Sequence, residues 1–244
     1  MLGKSQAKYI QSLGQKKVRD EQGVFVAEGP KIIAELLASA NADIQQLYAL
    51  PDWIRANHHD CNGVELQEVD ENDLGKISQL ATPNKVLAIV KKFEVLPDIQ
   101  TNGTVSLVLD VIQDPGNLGT IIRIADWFGI EQVVCSKDCA DMYNSKVVQS
   151  TMGSIARVKI MYTDLAVWLP DQKDVFIYAA AMEGQNVTAM KKINEGLIVI
   201  GNESKGISPA IFEVVDVKIT IPRKGNAESL NAAVAAGIIL SHIV

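Results

Sequence analysis

Three short stretches of the sequence combine glycine-containing turns with polar side chains that can bind anions or orient a reacting group. The first, "DPGNLG", carries Asn117 and is followed by Arg123. The second, "GNESKGIS", places Glu203 between two glycines, and the third, "PRKGNAESLN", contains Ser229 and Asn231. Guanidinium groups bind phosphates, and carboxylate, amide and hydroxyl side chains hydrogen-bond ligands or cap helices. Arg123 and Glu203 are therefore the first candidates for contacts with a ligand, and Asn117, Ser229 and Asn231 are candidate helix caps.

The first stretch matches neither common phosphate-binding loop. The dinucleotide fingerprint needs Gly-x-Gly-x-x-Gly between a strand and a helix, and this turn supplies only Gly116 and Gly119. The turn also lacks the Gly-Lys-Ser/Thr of a Walker-type loop. A nicotinamide oxidoreductase and an ATPase are therefore both disfavoured.

The turn still predicts the start of a helix. Pro115 begins a tight turn, and Asn117 is placed to cap a helix that begins at Leu118. Apolar residues at helical spacing then predict a core-facing stripe, formed by Ile121, Ile124, Ala125 and Phe128. Arg123 lies beside this stripe, close to a helix N-terminus that favours anions. The position of Arg123 therefore indicates either that it binds a phosphate or that it forms an ion pair with Asp126.

The other two stretches also follow predicted strands. Glu203 lies at the end of a buried strand, where open α/β sheets bind ligands, although a loop carboxylate can also cap a neighbouring helix. Ser229 or Asn231 is expected to cap the last helix. That helix is rich in alanine and ends its small-residue run at Gly237, which indicates either ordinary core packing or close contact with a partner or a threaded segment.

The elements that must position these residues alternate between strand-like and helix-like patterns, which predicts an α/β chain. In the first hundred residues, strands are expected at "VFVAEG", "IQQLYAL", "GVELQEV" and "KVLAIVKKF", and helices at "PKIIAELLASA", "DWIRANH" and "ENDLGKISQLA". Later strands are expected at "SLVLDVI", "EQVVCS", "RVKIMY", "VFIYAAA", "GLIVIG" and "DVKITIP". Their consecutive apolar residues are typical of a parallel sheet covered on both faces. The aperiodic stretch "EVLPDIQTNGTV", with Pro97, predicts a boundary between domains at residues 1–98 and 104–244.

Composition limits the remaining possibilities. The chain has 244 residues, of which 48% are hydrophobic, and no apolar run is long enough to cross a bilayer. Without a signal peptide, we expect a cytoplasmic protein that does not bind membranes. The three cysteines, Cys61, Cys135 and Cys139, lack the spacing of metal or redox motifs and are expected to be buried or inert thiols. No metal site is expected.

Charge is unevenly distributed. The formal net charge is −6, yet residues 1–19 contain five basic and no acidic residues, so residues 20–244 carry −11. A basic N-terminal arm on an acidic body can bind a polyanion, although a solvated terminal helix is the alternative.

Taken together, the three stretches resemble the three motifs of the SpoU-type (TrmH-like) RNA 2′-O-ribose methyltransferases, in the SPOUT class. Motif one is "DPGNLGTIIRIADWFG", motif two "IVIGNESKGIS" and motif three "ITIPRKGNAESLNAAVAAG". The stretch "QKKVRDEQGVFVAEGPKIIAELL" resembles the family's ribosomal-protein-like substrate-binding domain. The resemblance implies a homodimer with a deep trefoil knot in its C-terminal half. It also implies transfer of a methyl group from S-adenosyl-L-methionine to a ribose in rRNA or tRNA.

The resemblance also implies roles for individual residues. The catalytic set is Asn117, Arg123, Glu203, Ser229 and Asn231. The residues implied to contact the cofactor are Ala180, Gly201, Ile221 and Leu230, and Ala180 departs from relatives with a hydroxyl residue near this position. With RNA as partner, phosphate contacts are expected from Lys16, Lys17 and Arg19, with Arg157 and Lys159 as further candidates.

Two other functions stay open at this point. An RNA-binding protein of the same fold without catalysis would not need the whole catalytic set, and a related enzyme that methylates a base nitrogen would differ in its product. Motifs do not report the RNA target, the modified nucleotide or the proton acceptor, because substrate choice depends on the N-terminal domain and on RNA shape.

Overall fold

The structure is a computed structural model that describes residues 2–57, 59–61, 63–94 and 99–244. It divides into two compact units. Unit 1 consists of Met1–Glu94 and Tyr143–Arg157, and unit 2 of Val95–Met142 and Val158–Val244. Pro97 of the predicted linker and His58, the last residue of the predicted helix "DWIRANH", lie outside the described residues.

The first ninety residues alternate between helices and strands. Their order is α1 (Lys4–Ser12), α2 (Lys16–Gln22), β1 (Val24–Glu28), α3 (Pro30–Ala38), β2 (Ile44–Ala49), α4 (Pro51–Asn57), β3 (Leu66–Glu68), α5 (Glu71–Ile77) and β4 (Val86–Lys91). The strands form one sheet in the order β1-β4-β2-β3, in which β4 is antiparallel to both neighbours and β2 and β3 are parallel. Pro30 is the first residue of α3, as expected from its fixed φ.

The remaining elements follow from residue 105 onward. Their order is β5 (Val105–Leu109), α6 (Pro115–Trp127), β6 (Gln132–Ser136), α7 (Ser145–Thr151), β7 (Lys159–Thr163), α8 (Leu165–Trp168), β8 (Ile177–Asn186), β9 (Gly196–Ile200), α9 (Pro209–Phe212), β10 (Val217–Thr220) and α10 (Ala232–Ile243). All six strands lie in a parallel sheet of order β10-β8-β9-β5-β6-β7. Every residue of the central strands β5 and β9 is buried, which confirms the predicted parallel α/β sheet.

One helix of the C-terminal half belongs to unit 1. The chain returns there from Tyr143 to Arg157, and α7 packs against β1. Tyr143 is buried in a cluster with two other aromatic rings, with its ring centroid 4.9 Å from that of Phe25 and 6.5 Å from that of Phe93. The Phe93 amide donates to the Tyr143 hydroxyl at 3.0 Å. Unit 1 is therefore discontinuous in sequence.

Two local expectations differ from the structure. The basic N-terminal segment is not an arm, because α1 buries Ile10 and Leu13 follows it into the core of unit 1. The predicted helix "ENDLGKISQLA" ends at Ile77, since Ser78 is extended and its hydroxyl donates to Glu28. Within the described ranges, no helix is long and apolar enough to span a membrane.

Candidate active site

The candidate site lies at the carboxyl ends of β5 and β9, which are neighbours in the centre of the parallel sheet. Leu109 at the end of β5 is paired with Ile200 at the end of β9. This pair divides the sheet in two: the strands that follow β5 in sequence, β6 and β7, lie on one side of it, and β8 and β10 lie on the other. Open α/β sheets bind ligands at such a switch point. Motif one follows β5 and motif two follows β9, so the sheet brings the two motifs together.

The start of α6 differs from the sequence-based expectation in a way that matters for the site. Asp114 is the cap, and its side chain accepts a hydrogen bond from the Asn117 amide nitrogen at 2.8 Å. The helix begins at Pro115, so the prediction that Asn117 caps a helix from Leu118 was wrong. Asp114 fits the role because an aspartate followed by a proline suits the first turn of a helix. The side chain of Asn117 is consequently available to the site.

Asn117 joins residues from all three motifs. Its side-chain amide nitrogen donates to Glu203 of motif two, and its oxygen accepts from the Asn231 amide nitrogen of motif three at 2.8 Å. Of the two cap candidates, Ser229 and Asn231, Asn231 caps α10, and its side-chain oxygen accepts from the backbone amides of Ala233 and Val234 at 3.0 and 3.2 Å. We call Asn117, Glu203 and Asn231 the polar triad.

The triad has a consistent direction of hydrogen bonding. Amides at the positive end of α10 donate to Asn231, Asn231 donates to Asn117, and Asn117 donates to the Glu203 carboxylate. Each donor therefore points toward the carboxylate, and hydrogen bonds in such a chain polarise one another. The hydrogen bond from Asn117 thus holds the Glu203 side chain in a fixed orientation at the carboxyl end of the sheet.

The structure does not bring all five predicted catalytic residues into direct contact. Arg123 is exposed on α6, and Ser229 is exposed in the segment before α10. In the part of the chain that the structure describes, neither side chain hydrogen-bonds a member of the polar triad. Both remain on elements that the triad joins, Arg123 less than two turns beyond Asn117 and Ser229 two residues before Asn231.

Three of the four predicted cofactor residues lie in or directly after three adjacent strands, and the fourth precedes α10. Ala180 lies in β8, Gly201 follows β9 and Ile221 follows β10, and these strands are neighbours in the sheet. Leu230 precedes α10 and is 45% exposed. Ala180 begins a stretch where β8 leaves regular pairing, because Ala179 pairs with Lys218 and pairing resumes only at Gln185. The sheet thus gathers Ala180, Gly201 and Ile221 at one edge.

Gly201 is required by close backbone packing. A Cβ atom at this position would lie 2.5 Å from the carbonyl carbon of Gly206 and 2.6 Å from the nitrogen of Ile207. Asn202 and Gly206 exchange two backbone hydrogen bonds, of 3.0 and 2.9 Å, which close the loop of motif two over this point. Any larger residue would push the two sides of the loop apart.

Sequence reasoning missed several residues around the triad. Asp110 is buried at the end of β5, and its carboxylate accepts from the Ser208 amide at 2.6 Å. Asn202 donates to the Val111 carbonyl at 2.9 Å. The signal for Asp110 was an acid directly after a predominantly apolar strand, whereas nothing in the sequence pairs Asn202 with Val111.

Cys135 and Cys139 are buried next to this loop, and Cys61 is buried in unit 1. The expectation of buried thiols is therefore confirmed. Cys139 is not isolated, because its sulfur accepts from the Ile112 amide at 3.2 Å. A hydrogen bond with Cys135 is the main cause that lowers the pKa of the Cys139 thiol to about 7, and the same bond raises the pKa of Cys135 well above its usual value. Among the described residues, no group of three His, Cys, Asp or Glu side chains could hold a metal ion.

The predicted RNA-contacting residues have different environments. Lys16 and Lys17 are exposed on α2. Arg19 is only 3% exposed, and its guanidinium donates to the carbonyls of Leu13 and Gly14 at 2.9 and 2.8 Å. The prediction of a phosphate contact at Arg19 is therefore corrected: this side chain fastens the α1–α2 turn. Arg157 is paired with Glu35 at 2.6 Å within unit 1.

Comparison with known proteins gives a consistent result. Residues 104–241 match the SpoU rRNA Methylase family, and residues 4–88 match the MRM3-like substrate binding domain. The chain is 30% identical over 231 residues to the 23S rRNA (guanosine(2553)-2′-O)-methyltransferase RlmP of Bacillus subtilis (strain 168), covering 93% of this chain and 91% of that protein.

Two solved structures are similar over nearly the whole chain. A protein of the TrmH family from Porphyromonas gingivalis superimposes with a TM-score of 0.86 at 33% identity, covering 99% of this chain and 98% of that one. An AdoMet-bound rRNA methyltransferase from Sinorhizobium meliloti gives a TM-score of 0.87 at 28% identity, covering 99% and 95%. The resemblance seen in the three motifs is confirmed, and the chain belongs to the SpoU rRNA Methylase family.

Proposed function

We propose that this protein transfers a methyl group from S-adenosyl-L-methionine to the 2′-hydroxyl of a ribose in RNA. The observation that carries the proposal is the polar triad, which joins one residue from each of the three motifs by directed hydrogen bonds. A relative over most of the chain is named as a 2′-O-methyltransferase of 23S rRNA, and a similar structure is named as an AdoMet-bound rRNA methyltransferase. A noncatalytic RNA-binding protein would not need the triad.

The residues at the edge of the sheet fit this cofactor. Ile221 is half-buried and Leu230 is 45% exposed, so two apolar side chains are available to an adenine ring. Gly201 leaves the backbone of motif two without a side chain at the end of β9. Apolar contacts with backbone donors and acceptors suit a largely neutral adenosine. When bound, the cofactor supplies an electrophilic methyl group.

The protein's own residues would then orient the RNA. Arg123 grips the phosphate beside the target ribose, because its planar fork matches phosphate oxygens, and it stabilises the negative charge that develops on the ribose oxygen. Asn117 and Glu203 hold the ribose and the guanidinium, and Ser229 shapes the motif-three loop. Arginine stays charged and is a poor base, so the hydroxyl proton leaves through the phosphate or a water molecule. Holding the reacting atoms in line removes much of the entropic barrier.

The two parts of the chain would divide the work. We assign RNA binding to residues 1–98 and catalysis to residues 104–244, a division supported by the family matches at 4–88 and 104–241. Lys16 and Lys17 would contact phosphates, and Arg19 would not. Ribosomal RNA is the first substrate to test, since the relative with a named target acts on 23S rRNA. A cytoplasmic location follows from such a substrate.

A homodimer is the proposed assembly. Trp127 on α6 is 83% exposed and Val234 on α10 is 50% exposed, and these two helices pack side by side. Large apolar side chains left in water on adjacent helices indicate a partner surface. The expected mass from light scattering is that of a dimer, and Trp127→Ser should shift it toward the monomer. A wild-type monomer at micromolar concentration would contradict the proposal. We also propose that the C-terminal half contains the trefoil knot that the family resemblance implies.

The central experiment incubates the protein with labelled S-adenosyl-L-methionine and 23S rRNA that lacks the modification, followed by digestion and nucleoside analysis. Arg123→Ala is compared with Arg55→Ala, a matched change at an exposed arginine of α4. Label in a 2′-O-methyl nucleoside, lost only in Arg123→Ala, supports the proposal. Label in a base would make the protein a base methyltransferase. Cofactor binding without label on rRNA or tRNA would favour the noncatalytic alternative.

A further inference from the structure

The backbone of the loop between β5 and α6 contains a rare conformation. Val111 has φ of 57°, in the left-handed region, although its side chain is branched at Cβ. Such residues avoid this region because the Cβ atom crowds the following carbonyl. A strained backbone of this kind persists only where its surroundings hold it, and it concentrates at functional sites.

Groups from outside the loop satisfy every backbone polar atom of Val111 and Ile112. Ser136 accepts from the Val111 amide at 2.9 Å, and Asn202 donates to the Val111 carbonyl at 2.9 Å. Cys139 accepts from the Ile112 amide at 3.2 Å, and the Ala140 amide donates to the Ile112 carbonyl at 2.9 Å. Three parts of the chain therefore hold the loop by hydrogen bonds: Ser136 at the end of β6, Cys139 and Ala140 in the segment that follows β6, and Asn202 of motif two.

Asn202 differs from the other holding groups because it also shapes motif two. Its side-chain oxygen accepts from the amides of Ser204 and Lys205, at 2.9 and 3.1 Å. One amide group thus fixes the strained residue that leads to Asn117 and the turn that carries Glu203. Those two residues hydrogen-bond each other across the site.

We propose that Asn202 is a positioning residue for methyl transfer, which acts by holding Val111 in its left-handed conformation and so fixes Asn117 against Glu203. This inference rests on the proposed function for its catalytic consequence. Asn202 itself need not touch the RNA or the cofactor. Small displacements of groups that orient a reaction reduce turnover more than binding.

The test compares Asn202→Asp with the control Asn144→Asp. Asn144 is the N-cap of α7 in unit 1, and aspartate caps a helix as well as asparagine does. Aspartate at 202 keeps the acceptor for Ser204 and Lys205 and loses the donor to Val111. We expect kcat at saturating RNA and cofactor to fall about 10- to 100-fold. Cofactor Kd should stay within about threefold of wild type, because binding does not depend on the aligned geometry. A kcat equal to that of Asn144→Asp, or a loss confined to KM or cofactor Kd, would overturn the proposal.

A second background tests whether Asn202 acts through Val111. Glycine adopts positive φ without strain, so the factor lost on Asn202→Asp should be much smaller when Val111→Gly is present. The same factor in both backgrounds would show that Asn202 acts elsewhere, and the proposal would fail. If Asn202→Asp does not fold, Ser136→Ala, which removes the acceptor of the Val111 amide, takes its place with the same expectations.

Hydrogen exchange separates this proposal from the proposed function. Peptides covering residues 110–114 and 202–206 should exchange faster in Asn202→Asp than in wild type or Asn144→Asp, whether or not any RNA is methylated. Unchanged exchange would overturn the holding role. Absence of methyl transfer by the wild-type protein, with the expected change in exchange, would instead reject the proposed function and leave the holding role supported.

Discussion

At the scale of single residues, the polar triad converts a helix end into a directed set of donors. The side-chain oxygen of Asn231 accepts hydrogen bonds from backbone amides of α10. Its side-chain nitrogen donates to Asn117, and the side-chain nitrogen of Asn117 donates to Glu203. An asparagine can do this because its side chain carries both a donor and an acceptor. Aspartate at either position would lack the donor and would oppose the charge of Glu203.

Arg123→Lys separates charge from geometry. Lysine keeps the positive charge but cannot bind a phosphate through two parallel N–H groups, so we expect kcat/KM to fall at least about tenfold, or ~1.4 kcal/mol of transition-state stabilisation. The measurement is single-turnover methylation at several RNA concentrations, with Arg55→Lys as the control. Near-normal turnover would mean that bidentate phosphate binding is the wrong account of Arg123.

Glu28→Gln tests a buried carboxyl in unit 1. Burial is the main cause that raises the pKa of Glu28 above its usual 4.5, although Ser78 and the Gln79 amide donate to it. The folded state therefore keeps the proton to higher pH than the unfolded state, and stability falls as pH rises from about 4.5 through the raised pKa. Glutamine does not ionise and retains an acceptor for Gln79.

Urea unfolding of wild type and Glu28→Gln at pH values from 4 to 8 provides the measurement. We expect the variant to be more stable at pH 7, with the difference shrinking toward pH 4. A variant that is less stable at pH 7 would show that the two hydrogen bonds to the carboxylate outweigh its burial.

At the scale of elements, loops after the strands fix the site more than the strands do. The cap at Asp114 starts α6 early enough to direct Asn117 inward, and the cap at Asn231 places α10 beside it. Gly237 of α10 faces Ile124 of α6, where an added Cβ would lie 3.6 Å from the isoleucine side chain. The small residues of α10 therefore pack against α6 of the same chain, which is one of the two roles expected for them.

Gly201→Ala tests the close packing in motif two. The new Cβ would meet the backbone of Gly206 and Ile207 rather than a flexible side chain, so we expect a loss of about 1–3 kcal/mol in the free energy of unfolding. Cofactor affinity should fall more than tenfold, because the loop that follows β9 must open. Calorimetric binding and thermal unfolding provide the measurements.

Gly225→Ala is the stability control for this change. An added Cβ there meets nothing within 4 Å, so the free energy of unfolding should stay within about 0.5 kcal/mol of wild type. Equal stability of Gly201→Ala and Gly225→Ala would count against the packing argument.

At the scale of the whole molecule, the discontinuous unit 1 changes what a domain boundary means. The sequence places a boundary near residue 100, yet residues Tyr143–Arg157 cluster with the N-terminal part of the chain. A fragment that ends near residue 98 would lack α7 and Tyr143, and it would leave Phe25 without its closest aromatic partner.

Tyr143→Ala should therefore destabilise unit 1, although it lies in the half of the chain matched by the SpoU profile. Deleting a buried aromatic ring costs about 3–5 kcal/mol, and hydrogen exchange in peptides of β1 and β4 should rise accordingly. Tyr143→Phe keeps the ring and removes the acceptor for the Phe93 amide, so its effect should be about 1–3 kcal/mol. Faster exchange confined to unit 2 would contradict this reading.

RNA binding by the whole protein should depend steeply on salt. Lys16→Ala with Lys17→Ala should make the slope of log Kobs against log salt shallower by up to about 1.8, because two phosphate contacts are lost. The matched control replaces Lys137 and Lys173, which are exposed in unit 2, and removes the same charge. Equal slopes for the two double variants would place the phosphate contacts away from α2.

The sequence alone determined the local features of this protein. Strand periodicity, the proline at the start of α3 and the two cap candidates of α10, Ser229 and Asn231, depend on neighbouring residues, so they could be predicted from spacing and side-chain chemistry. The same local reasoning erred where two residues competed for one role, as Asp114 and Asn117 did for the cap of α6.

Only the tertiary structure decided which distant residues meet. Asn117 and Glu203 are 86 positions apart, and Asn117 and Asn231 are 114 apart, so no local pattern relates them. Parallel pairing of β5 and β9 brings their carboxyl ends together, and the packing of α10 on α6 adds the third residue. The burial of Arg19 and the return of Tyr143 to unit 1 have the same origin, because burial depends on the whole fold and not on the residue type.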